Sequence, residues 1–482
     1  MESMSRRSFV RNTAVATAAL AWGGSLIGCA PGGLSSTERA LFTAGTYTAS
    51  AQGKNGPVTV EATFTDDALD SLRVVDHSET EGISDFALEL MPQRILDSQS
   101  IEADVVSGAT LTSMGIASAV KECARQAGGS APLEKAVEKP APTSESLEAD
   151  VLVIGAGGAG LCAALAALDA GAEVLVVERQ DMTGGSTRLN GAMFITEGNE
   201  EEKKELGALD ADQTFQFFAN NNDTEYFSPD LAKSFFNDMV PIYDYVEETC
   251  FAPGRFVNQC YAPFDPADPA SEAPMMTQYW PADAKVDETG EFAGLPEGCG
   301  CRFVDPLEEA VKAAGGTILC GTSVTALEAQ DGVVTGATAE NRDNVTYTIA
   351  AKAVVIASGG YAANDELRGK WWGDENLEWF SAPSCDGACI AMAEKVGAKT
   401  AFVECPGGWG GGYATLGGLL VDDAMHVVDT SDASMENLFA VGEVANIRIL
   451  GTVYPMSGTM NSWSVYSGQM AGENAAAAAL GA

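Results

Sequence analysis

The chain has 482 residues, of which 27 are Lys or Arg and 68 are Asp or Glu, so its net charge at pH 7 is −41. A field of that sign repels nucleic acid and anionic lipid headgroups, which excludes the function classes that depend on binding either of them. The length is enough for two or three domains, each with a core of its own.

The first 35 residues have the pattern of a targeting segment. Two arginines at positions 6 and 7 precede an apolar run, 13–28, which is too short and too rich in Gly and Ala for a membrane span. The segment resembles a twin-arginine signal, which implies export of a folded protein. Residues 26–29 also resemble a lipobox. We therefore expect an extracytoplasmic protein anchored to lipid at Cys29, the alternative being a chance Cys near an ordinary cleavage site.

Eleven cysteines in an exported chain raise the question of disulfides or a metal cluster. Cys123 and Cys162 fall in helix-like apolar stretches, and the sequence contains no Cys-x-x-Cys-His motif for covalent haem. Cys385, Cys389 and Cys405 could ligate a cluster, but small buried apolar cysteines are the more frequent case. We therefore predict no metal site.

Residues 40–127 predict a small α+β domain. Residues 46–64 alternate apolar and polar around Asn55-Gly56, a hairpin signal, and a helix is predicted over 116–127. Residues 104–110 read Asp-Val-Val-Ser-Gly-Ala-Thr. Small and hydroxyl residues ahead of a helix N-terminus suit a phosphate, because unpaired backbone N–H groups point at it. This pattern alone leaves the ligand unnamed.

The Asp-x-x-Ser-Gly-Ala-Thr run resembles the FMN-binding domain of bacterial Na⁺-pumping and Rnf-type electron-transfer complexes. In that family the final Thr carries FMN through a phosphoester bond. The resemblance therefore implies covalent FMN at Thr110, with Ser107 in the same run, and a separate FMN transferase as a partner. Glu79 and Thr80 resemble a second segment of the family. The alternative is a Ser/Thr-rich helix cap.

Residues 128–147 are rich in Ala, Pro, Ser, Lys and Glu and lack apolar periodicity. This composition predicts a linker that lets the small domain swing between an external electron donor and a second flavin.

Residues 151–160, V-L-V-I-G-A-G-G-A-G, form an apolar strand that leads directly into glycines. Gly155 permits a tight turn, Gly157 lets the backbone approach a pyrophosphate, and Gly160 lets the following helix pack on the strand. A second predicted strand ends on Glu178, where an acid is expected to hold the adenosine ribose. The unit predicts dinucleotide binding and disfavours NADP. The alternative is an ordinary Gly-rich turn.

Further stretches at 183–192, 353–361 and 437–444 follow in an order that resembles the FAD subunit of the fumarate reductase and succinate dehydrogenase superfamily. The resemblance implies an α/β fold with a Rossmann-like FAD domain, 148–234 and 298–482, and an inserted cap domain, 235–297. It also implies non-covalent FAD contacts along the diphosphate, flavin, adenine and ribityl chain. Besides Gly155, Gly157, Gly160 and Glu178, these contacts are Gly185, Ser186, Val324, Gly359, Gly360, Gly442 and Glu443.

The substrate region departs from that family. True fumarate reductases have His-Pro-Thr where this chain has Cys405-Pro406-Gly407, and an Asn-Arg pair where it has Tyr454 and Pro455. The Arg of that pair clamps a substrate carboxylate in two-point contact. We therefore expect that the dicarboxylate site is lost and that fumarate is not the substrate. His426, in a predicted strand, is expected to be structural.

Residues 454–458, Tyr-Pro-Met-Ser-Gly, resemble the Tyr-Pro-x-x-Gly segment of bacterial flavin-dependent 3-ketosteroid dehydrogenases. The resemblance implies that the Tyr454 hydroxyl and the Gly458 N–H bond the ketone oxygen of a substrate, where they would stabilise an enolate. The alternative is that Tyr454 is a packed aromatic in a turn. Candidates for the proton donor are Tyr413, Tyr361 and Arg448.

Taken together, the sequence predicts an exported ene-reductase. Electrons would pass from a membrane donor to FMN, then to FAD, then to the C=C of a small α,β-unsaturated carbonyl compound, an enone such as a 3-ketosteroid. A tethered flavin favours reduction, because NADH is absent outside the membrane. One alternative is a reductase of unsaturated monocarboxylates with Arg448 or Arg302 as the anchor. The other is an electron-carrier lipoprotein with a degenerate FAD site.

Overall fold

The computed structural model describes residues 40–189, 194–196, 200–220, 222, 224–238, 244–246, 248, 253–259, 275–281, 285–286, 292–294, 300–404, 414–451, 454 and 458–481. The expected targeting segment at 1–35 lies outside these residues.

The first domain is built on a three-stranded antiparallel sheet, β1 (Gly45–Gln52), β2 (Pro57–Phe64) and β3 (Leu69–Asp76). The hairpin predicted around Asn55-Gly56 is confirmed, since the loop 53–56 connects β1 with β2. Alternate residues of β2, among them Val58 and Val60, are fully buried, because alternate side chains of a strand point to one face of the sheet.

Two helices, α1 (Asp85–Ser98) and α2 (Thr110–Gln126), pack against this sheet and complete an α+β core. The sequence predicted that the second helix begins at Ile116, but it already begins at Thr110. Ser113 closes the first turn, since its N–H and its hydroxyl both donate to the Ala109 carbonyl. Thr110 is therefore a helical residue and not part of the preceding loop.

The connection between the domains is shorter than the predicted linker, 128–147. It contains a single turn of 3₁₀ helix, Ala131–Leu133, whose Leu133 is buried in the first domain's core. Strand β4 (Thr143–Ile154) already begins at residue 143, because β14 (Val345–Ile356) offers a parallel partner for residues 143–149. Composition did not reveal this pairing.

The second domain contains the remaining elements. Its further strands are β5 (Val174–Val177), β6 (Phe194–Thr196), β7 (Pro253–Gln259), β8 (Met275–Pro281), β9 (Lys285–Val286), β10 (Phe292–Gly294), β11 (Thr317–Leu319), β12 (Thr322–Gln330), β13 (Val333–Asn341), β15 (Thr400–Phe402), β16 (Gly417–Leu419), β17 (His426–Val428) and β18 (Ser434–Ala440). Its helices are α3 (Gly158–Asp169), α4 (Gly185–Leu189), α5 (Glu200–Leu206), α6 (Ala211–Asn220), α7 (Pro229–Asn237), α8 (Cys301–Ala313), α9 (Asp365–Trp371), α10 (Ala388–Lys395), α11 (Ile447–Leu450) and α12 (Thr459–Leu480).

The main sheet has the order β11–β5–β4–β14–β13–β12, with β18 beside the end of β14 and β17 beside β18. Strands β11, β5, β4, β14 and β18 run parallel. The last residues of β4 and all of β5 are apolar and buried, as expected for parallel strands covered on both faces. The predicted α/β fold, with a Rossmann-like domain behind a small α+β domain, is confirmed.

Helices α3 and α12 pack against each other along much of their length. Glycines on α12 permit the approach: a Cβ at Gly468 would lie 2.6 Å from the Ala159 carbonyl oxygen, and one at Gly472 would lie 2.3 Å from that of Ala163. Within the described ranges, no helix combines the length and the apolar character needed to cross a bilayer.

The segment predicted as a cap, 235–297, begins inside α7. Phe235 and Phe236 of that helix are buried in the main core, where the Phe235 ring lies 5.6 Å from that of Trp463. Strands β7 and β8, which follow α7, form a separate small sheet with β6, which precedes that helix in the chain, and the order is β6–β8–β7. The first residues of the predicted cap, 235–237, therefore belong to a helix that packs in the main core.

We expect Gly468→Ala to destabilise the protein by about 1–3 kcal/mol, because the new Cβ would collide with the backbone of α3. Urea unfolding monitored by circular dichroism would measure the loss. The matched control is Gly369→Ala in α9, where the nearest atom to a Cβ lies 3.6 Å away. That variant should be neutral or slightly stabilising. Equal midpoints for both variants would contradict the packing account.

Candidate functional site

A cavity of about 460 Å³ lies at the carboxyl ends of the central parallel strands. Ile154 and Val177, which end β4 and β5, line it, as does Ala357, the residue after β14. In open α/β sheets, ligands bind in the crevice outside the carboxyl ends of the strands. The cavity therefore has the position expected for a dinucleotide site.

The glycine turn after β4 forms one wall of this cavity. Gly155 has φ of +105°, and a Cβ there would lie 2.5 Å from the Ala357 carbonyl oxygen. A Cβ at Gly160 would lie 1.9 Å from the Gly155 carbonyl oxygen, so α3 can start only without a side chain there. Gly157 faces the cavity, and among the described residues the nearest atom to a Cβ there is the Gly184 carbonyl oxygen, at 3.8 Å. The cradle thus leaves room for a pyrophosphate above α3.

The Glu178 carboxylate is fixed by backbone donors. Its Oε2 accepts the Ala156 N–H and its Oε1 accepts the Gln180 N–H, both at 2.8 Å. The side chain lines the cavity and is 5% exposed. Burial raises the pKa of the carboxyl, and the two N–H groups act in the opposite direction. Such a rigid acceptor suits the vicinal hydroxyls of a ribose, the role predicted for Glu178.

A second carboxylate, that of the half-buried Glu443, lies at another wall of the cavity. It accepts the N–H and the hydroxyl of Thr415, both at 2.8 Å, and burial raises its pKa. A Cβ at Gly360 would lie 1.9 Å from the Thr415 hydroxyl oxygen and 2.5 Å from a Glu443 oxygen. Gly442, with φ of +68°, donates its N–H to Ser467. Gly360 and Gly442 thus support Glu443 from behind the lining.

Gly359 and Ser186 meet around a buried thiol, and Gly185 lines the cavity next to Ser186. A Cβ at Gly359 would lie 2.6 Å from the Cys385 Sγ, and the Ser186 hydroxyl lies 3.3 Å from that sulfur. Burial raises the pKa of Cys385 to about 12, so the thiol stays neutral at ordinary pH. In the described part of the chain, no group of three or more His, Cys, Asp or Glu side chains converges as a metal site. Cys405 lies outside the described residues.

Val324 lines the cavity beside Glu178, at the end where the adenine was predicted. An ion pair that the sequence did not reveal crosses this end: Arg179 and Asp386 approach to 3.0 Å, and both line the cavity. The two residues lie far apart in the chain, so no local pattern could have paired them.

Tyr454 and Gly458 line the same cavity as the glycine turn. Tyr454 is 5% exposed, and Gly458, with φ of +97°, is the N-cap of α12. Asn461 and Ser464, on the first turns of that helix, also line the cavity. The sequence analysis missed both, although their spacing of three on an Ala- and Gly-rich helix marks a polar face toward the site.

The two candidate carboxylate anchors lie elsewhere. Arg448, on α11, forms an ion pair with Asp423 and is absent from the cavity lining. Asp423 in turn accepts the Ser228 hydroxyl at 3.0 Å, so the guanidinium belongs to a surface network. Arg302 is exposed on α8. Neither Arg448 nor Arg302 is among the described residues that line the cavity.

The remaining residues singled out in the sequence are the candidate proton donors Tyr361 and Tyr413 and the structural His426. Tyr361 is fully buried behind the cavity, and its hydroxyl donates to the Leu416 carbonyl at 3.2 Å. Tyr413 lies outside the described residues. His426 lies in β17, as predicted, with its Nδ1 3.1 Å from an Asp422 oxygen. Burial would raise the pKa of Asp422, but hydrogen bonds from His426 and other donors hold it at about 2.

In the first domain, Thr110 is exposed at the first position of α2, and Ser107 is partly buried just before it. The Glu79 carboxylate accepts the N–H groups of Lys54 and Asn55, at 3.1 and 2.9 Å, and the Thr112 hydroxyl. Burial would raise the pKa of Glu79, but these donors lower it overall. Glu79 thereby ties the hairpin loop to the helix turn that carries Thr110.

We expect Glu178→Gln to weaken FAD binding at least about tenfold, because an amide has one acceptor oxygen and would turn its NH₂ toward a backbone donor. Titration of the apoprotein with FAD, followed by flavin fluorescence, would measure the dissociation constant. Glu173→Gln, an exposed change ahead of the same strand, is the control. Equal affinity of the Glu178 variant and the unmodified protein would contradict this role.

Two family models match the chain. The one described as FAD binding domain matches residues 150–405, more than half of the 482 residues, and the one described as FMN-binding domain matches residues 53–125. The second range contains both Glu79 and Thr110.

Individual proteins agree with these matches. Urocanate reductase of Eggerthella lenta is 29% identical over 413 residues, which cover 83% of this chain and 63% of that protein. NADH:acrylate oxidoreductase of Vibrio harveyi is 28% identical over 402 residues, 74% of this chain and 40% of that protein. The chain thus spans less than two thirds of the length of either relative.

A solved structure has the same fold. The 3-ketosteroid-Δ4-(5α)-dehydrogenase from Rhodococcus jostii RHA1 aligns with a TM-score of 0.57 at 18% identity, over 70% of this chain and 99% of that chain. The resemblance inferred from the glycine motifs is confirmed. The chain belongs to the FAD-binding family of flavin-dependent oxidoreductases and carries an FMN-binding domain ahead of its FAD-binding domain.

Proposed function

We propose that the protein is an extracytoplasmic ene-reductase. Electrons pass from a membrane donor to FMN on Thr110, then to FAD, and reduce the C=C of an α,β-unsaturated carbonyl compound. The substrate is an enone such as a 3-ketosteroid. The membrane donor and the FMN transferase are partners outside this chain. The export pattern at 1–35 supports the extracytoplasmic location. The FMN-binding domain fits that location, because a reductase without access to NADH needs a flavin relay.

One observation carries the choice of an enone. Tyr454 and Gly458 line the FAD cavity, and Arg179 is the single cationic side chain among its described lining residues. Arg179 lies next to Glu178 and is paired with Asp386. A carboxylate substrate needs a cation at its binding end, whereas a ketone needs neutral hydrogen-bond donors. The described lining residues include neutral hydrogen-bond donors.

The chemistry follows from these donors. When bound and reduced by two electrons, FAD would supply the hydride for the β-carbon of the enone, and a proton would be added to the α-carbon. Between the two additions, negative charge develops on the carbonyl oxygen. The Tyr454 hydroxyl and the Gly458 N–H are suited to stabilise that charge, and the low exposure of Tyr454 strengthens the interaction because water competes less.

The surroundings of Thr110 support covalent FMN. Its hydroxyl side chain is exposed and therefore accessible to a transferase. Three apolar side chains nearby in sequence are also exposed, Val105 at 37%, Leu111 at 55% and Met114 at 45%. Exposed apolar groups beside an attachment point suit a flat aromatic ring.

A second candidate is a reductase of unsaturated monocarboxylates. The names of two relatives, urocanate reductase and NADH:acrylate oxidoreductase, favour it. The positions of Arg448 and Arg302, outside the cavity lining, favour the enone.

We expect the flavin-loaded protein to oxidise reduced viologen anaerobically with a Δ4-3-ketosteroid, and Tyr454→Phe to lower kcat about 100-fold. The phenylalanine keeps the ring but loses the donor to the developing oxyanion. Tyr466→Phe is the control, since Tyr466 lies on α12, packs on Phe235 and is absent from the described cavity lining.

Turnover of a cinnamate-type acid alone, unaffected by Tyr454→Phe, would reject the enone in favour of the monocarboxylate. Failure with every enone and enoate offered would reject the ene-reductase itself.

We expect Thr110→Val to abolish covalent flavin, because valine has a similar shape but no hydroxyl to esterify. Flavin fluorescence of the denatured protein on a gel, after co-expression with an FMN transferase, would measure attachment. Thr46→Val, an exposed change in β1, should retain it. A fluorescent band from denatured Thr110→Val would place the bond elsewhere.

A further inference from the structure

Within the described residues, a short segment contributes several contacts between the two flavin-binding domains. Residues 178–189, which connect β5 with α4 and include that helix, are here called the bridging segment. On one side it lines the FAD cavity, through Glu178, Arg179, Gly185 and Ser186. On the other side it contacts the FMN-binding domain. The same backbone therefore both lines the FAD cavity and contacts the FMN-binding domain.

Asp181 is the polar centre of this contact. Its carboxylate is 5% exposed and accepts the Ser107 N–H at 2.9 Å, within the run that precedes Thr110. Arg94 of the FMN-binding domain donates to the other oxygen at 2.8 Å, and Arg342, between β13 and β14, also pairs with it. Arg94 further donates to the Asp104 carbonyl at 2.9 Å. A buried carboxylate with two arginines and an N–H is stable only while all remain in place.

Two further residues of the bridging segment reach into the FMN-binding domain. Met182 is 4% exposed and belongs to that domain's apolar core. Arg188 is 1% exposed, donates to the Gly82 carbonyl at 2.9 Å, and places its guanidinium 5.3 Å from the centre of the Phe86 ring. It also donates to the Thr183 carbonyl, 2.7 Å away, within the segment. Arg188 thus connects the bridging segment, at Thr183, to Gly82 of the FMN-binding domain.

We propose that FAD binding and docking of the FMN-binding domain are coupled through the bridging segment. FAD contacts at Glu178, Gly185 and Ser186 restrict the backbone that presents Asp181, Met182 and Arg188. The docked domain in turn holds that backbone in the conformation that receives FAD. Such coupling is reciprocal, so weakening either contact weakens the other by the same factor. The inference requires FAD in the cavity and is independent of the substrate.

Arg94→Gln tests the coupling, because Arg94 belongs to the FMN-binding domain and does not line the FAD cavity. We expect the FAD dissociation constant of the full chain to rise about fivefold or more, within the usual range of coupling between sites. Arg73→Gln is the matched control: it removes the same charge from an exposed ion pair with Glu61 in the same domain. It should leave FAD affinity unchanged.

A second measurement reads the coupling in the opposite direction. Hydrogen exchange of the Ser107 amide, whose N–H is bonded to Asp181, should slow when FAD is added to the unmodified protein. Arg94→Lys keeps the charge but loses the planar guanidinium, so its FAD affinity should lie between that of the unmodified protein and that of Arg94→Gln.

Equal FAD affinity in Arg94→Gln and the unmodified protein would overturn the proposal. If that variant fails to fold, hydrogen exchange of the Ser107 amide in the unmodified protein is the deciding measurement. An exchange rate that does not change when FAD is added would overturn the proposal. Neither outcome depends on turnover of an enone, so the proposed function is tested separately.

Discussion

The close approach of three backbone segments around Gly155 and Gly160 is the constraint on which the rest of this structure depends. With a Cβ at Gly160 only 1.9 Å from the Gly155 carbonyl oxygen, no other residue lets α3 start at that point. Because α3 starts there, its N-terminus faces the cavity and its flank receives α12. The start of α12 in turn carries Gly458, which brings Tyr454 to the same cavity. One steric requirement thus connects the cofactor cradle with the candidate substrate donors.

Buried or half-buried carboxylates held by backbone donors recur at both cofactor sites and at the domain contact of this acidic chain. Glu178 and Glu443 shape the FAD cavity, Glu79 fixes the helix turn that carries Thr110, and Asp181 joins the two domains. Each accepts at least one N–H group, which offsets the cost of removing its charge from water. Such acceptors are rigid, and rigidity is what cofactor placement requires.

The sequence predicted the features that local patterns determine. The strand, glycine turn and helix at 151–169, the hairpin around Asn55-Gly56 and the cavity position of Glu178 all follow from short motifs. Predictions from the sequence were wrong where contacts between residues distant in the chain determine the structure. The linker end became β4 because β14, some 200 residues away, pairs with it, and Arg448 is held by Asp423 away from the cavity. The contact between Asp181 and Ser107 left no local signal for the same reason.

A crystal structure of the protein with FAD and a steroid enone would test the central claim most directly. The account predicts that the adenosine ribose binds the Glu178 carboxylate, that the flavin ring faces Tyr454, and that the enone oxygen lies within hydrogen-bond distance of the Tyr454 hydroxyl and the Gly458 N–H. FAD bound in the reverse direction, or an enone oxygen held by an arginine side chain, would contradict it.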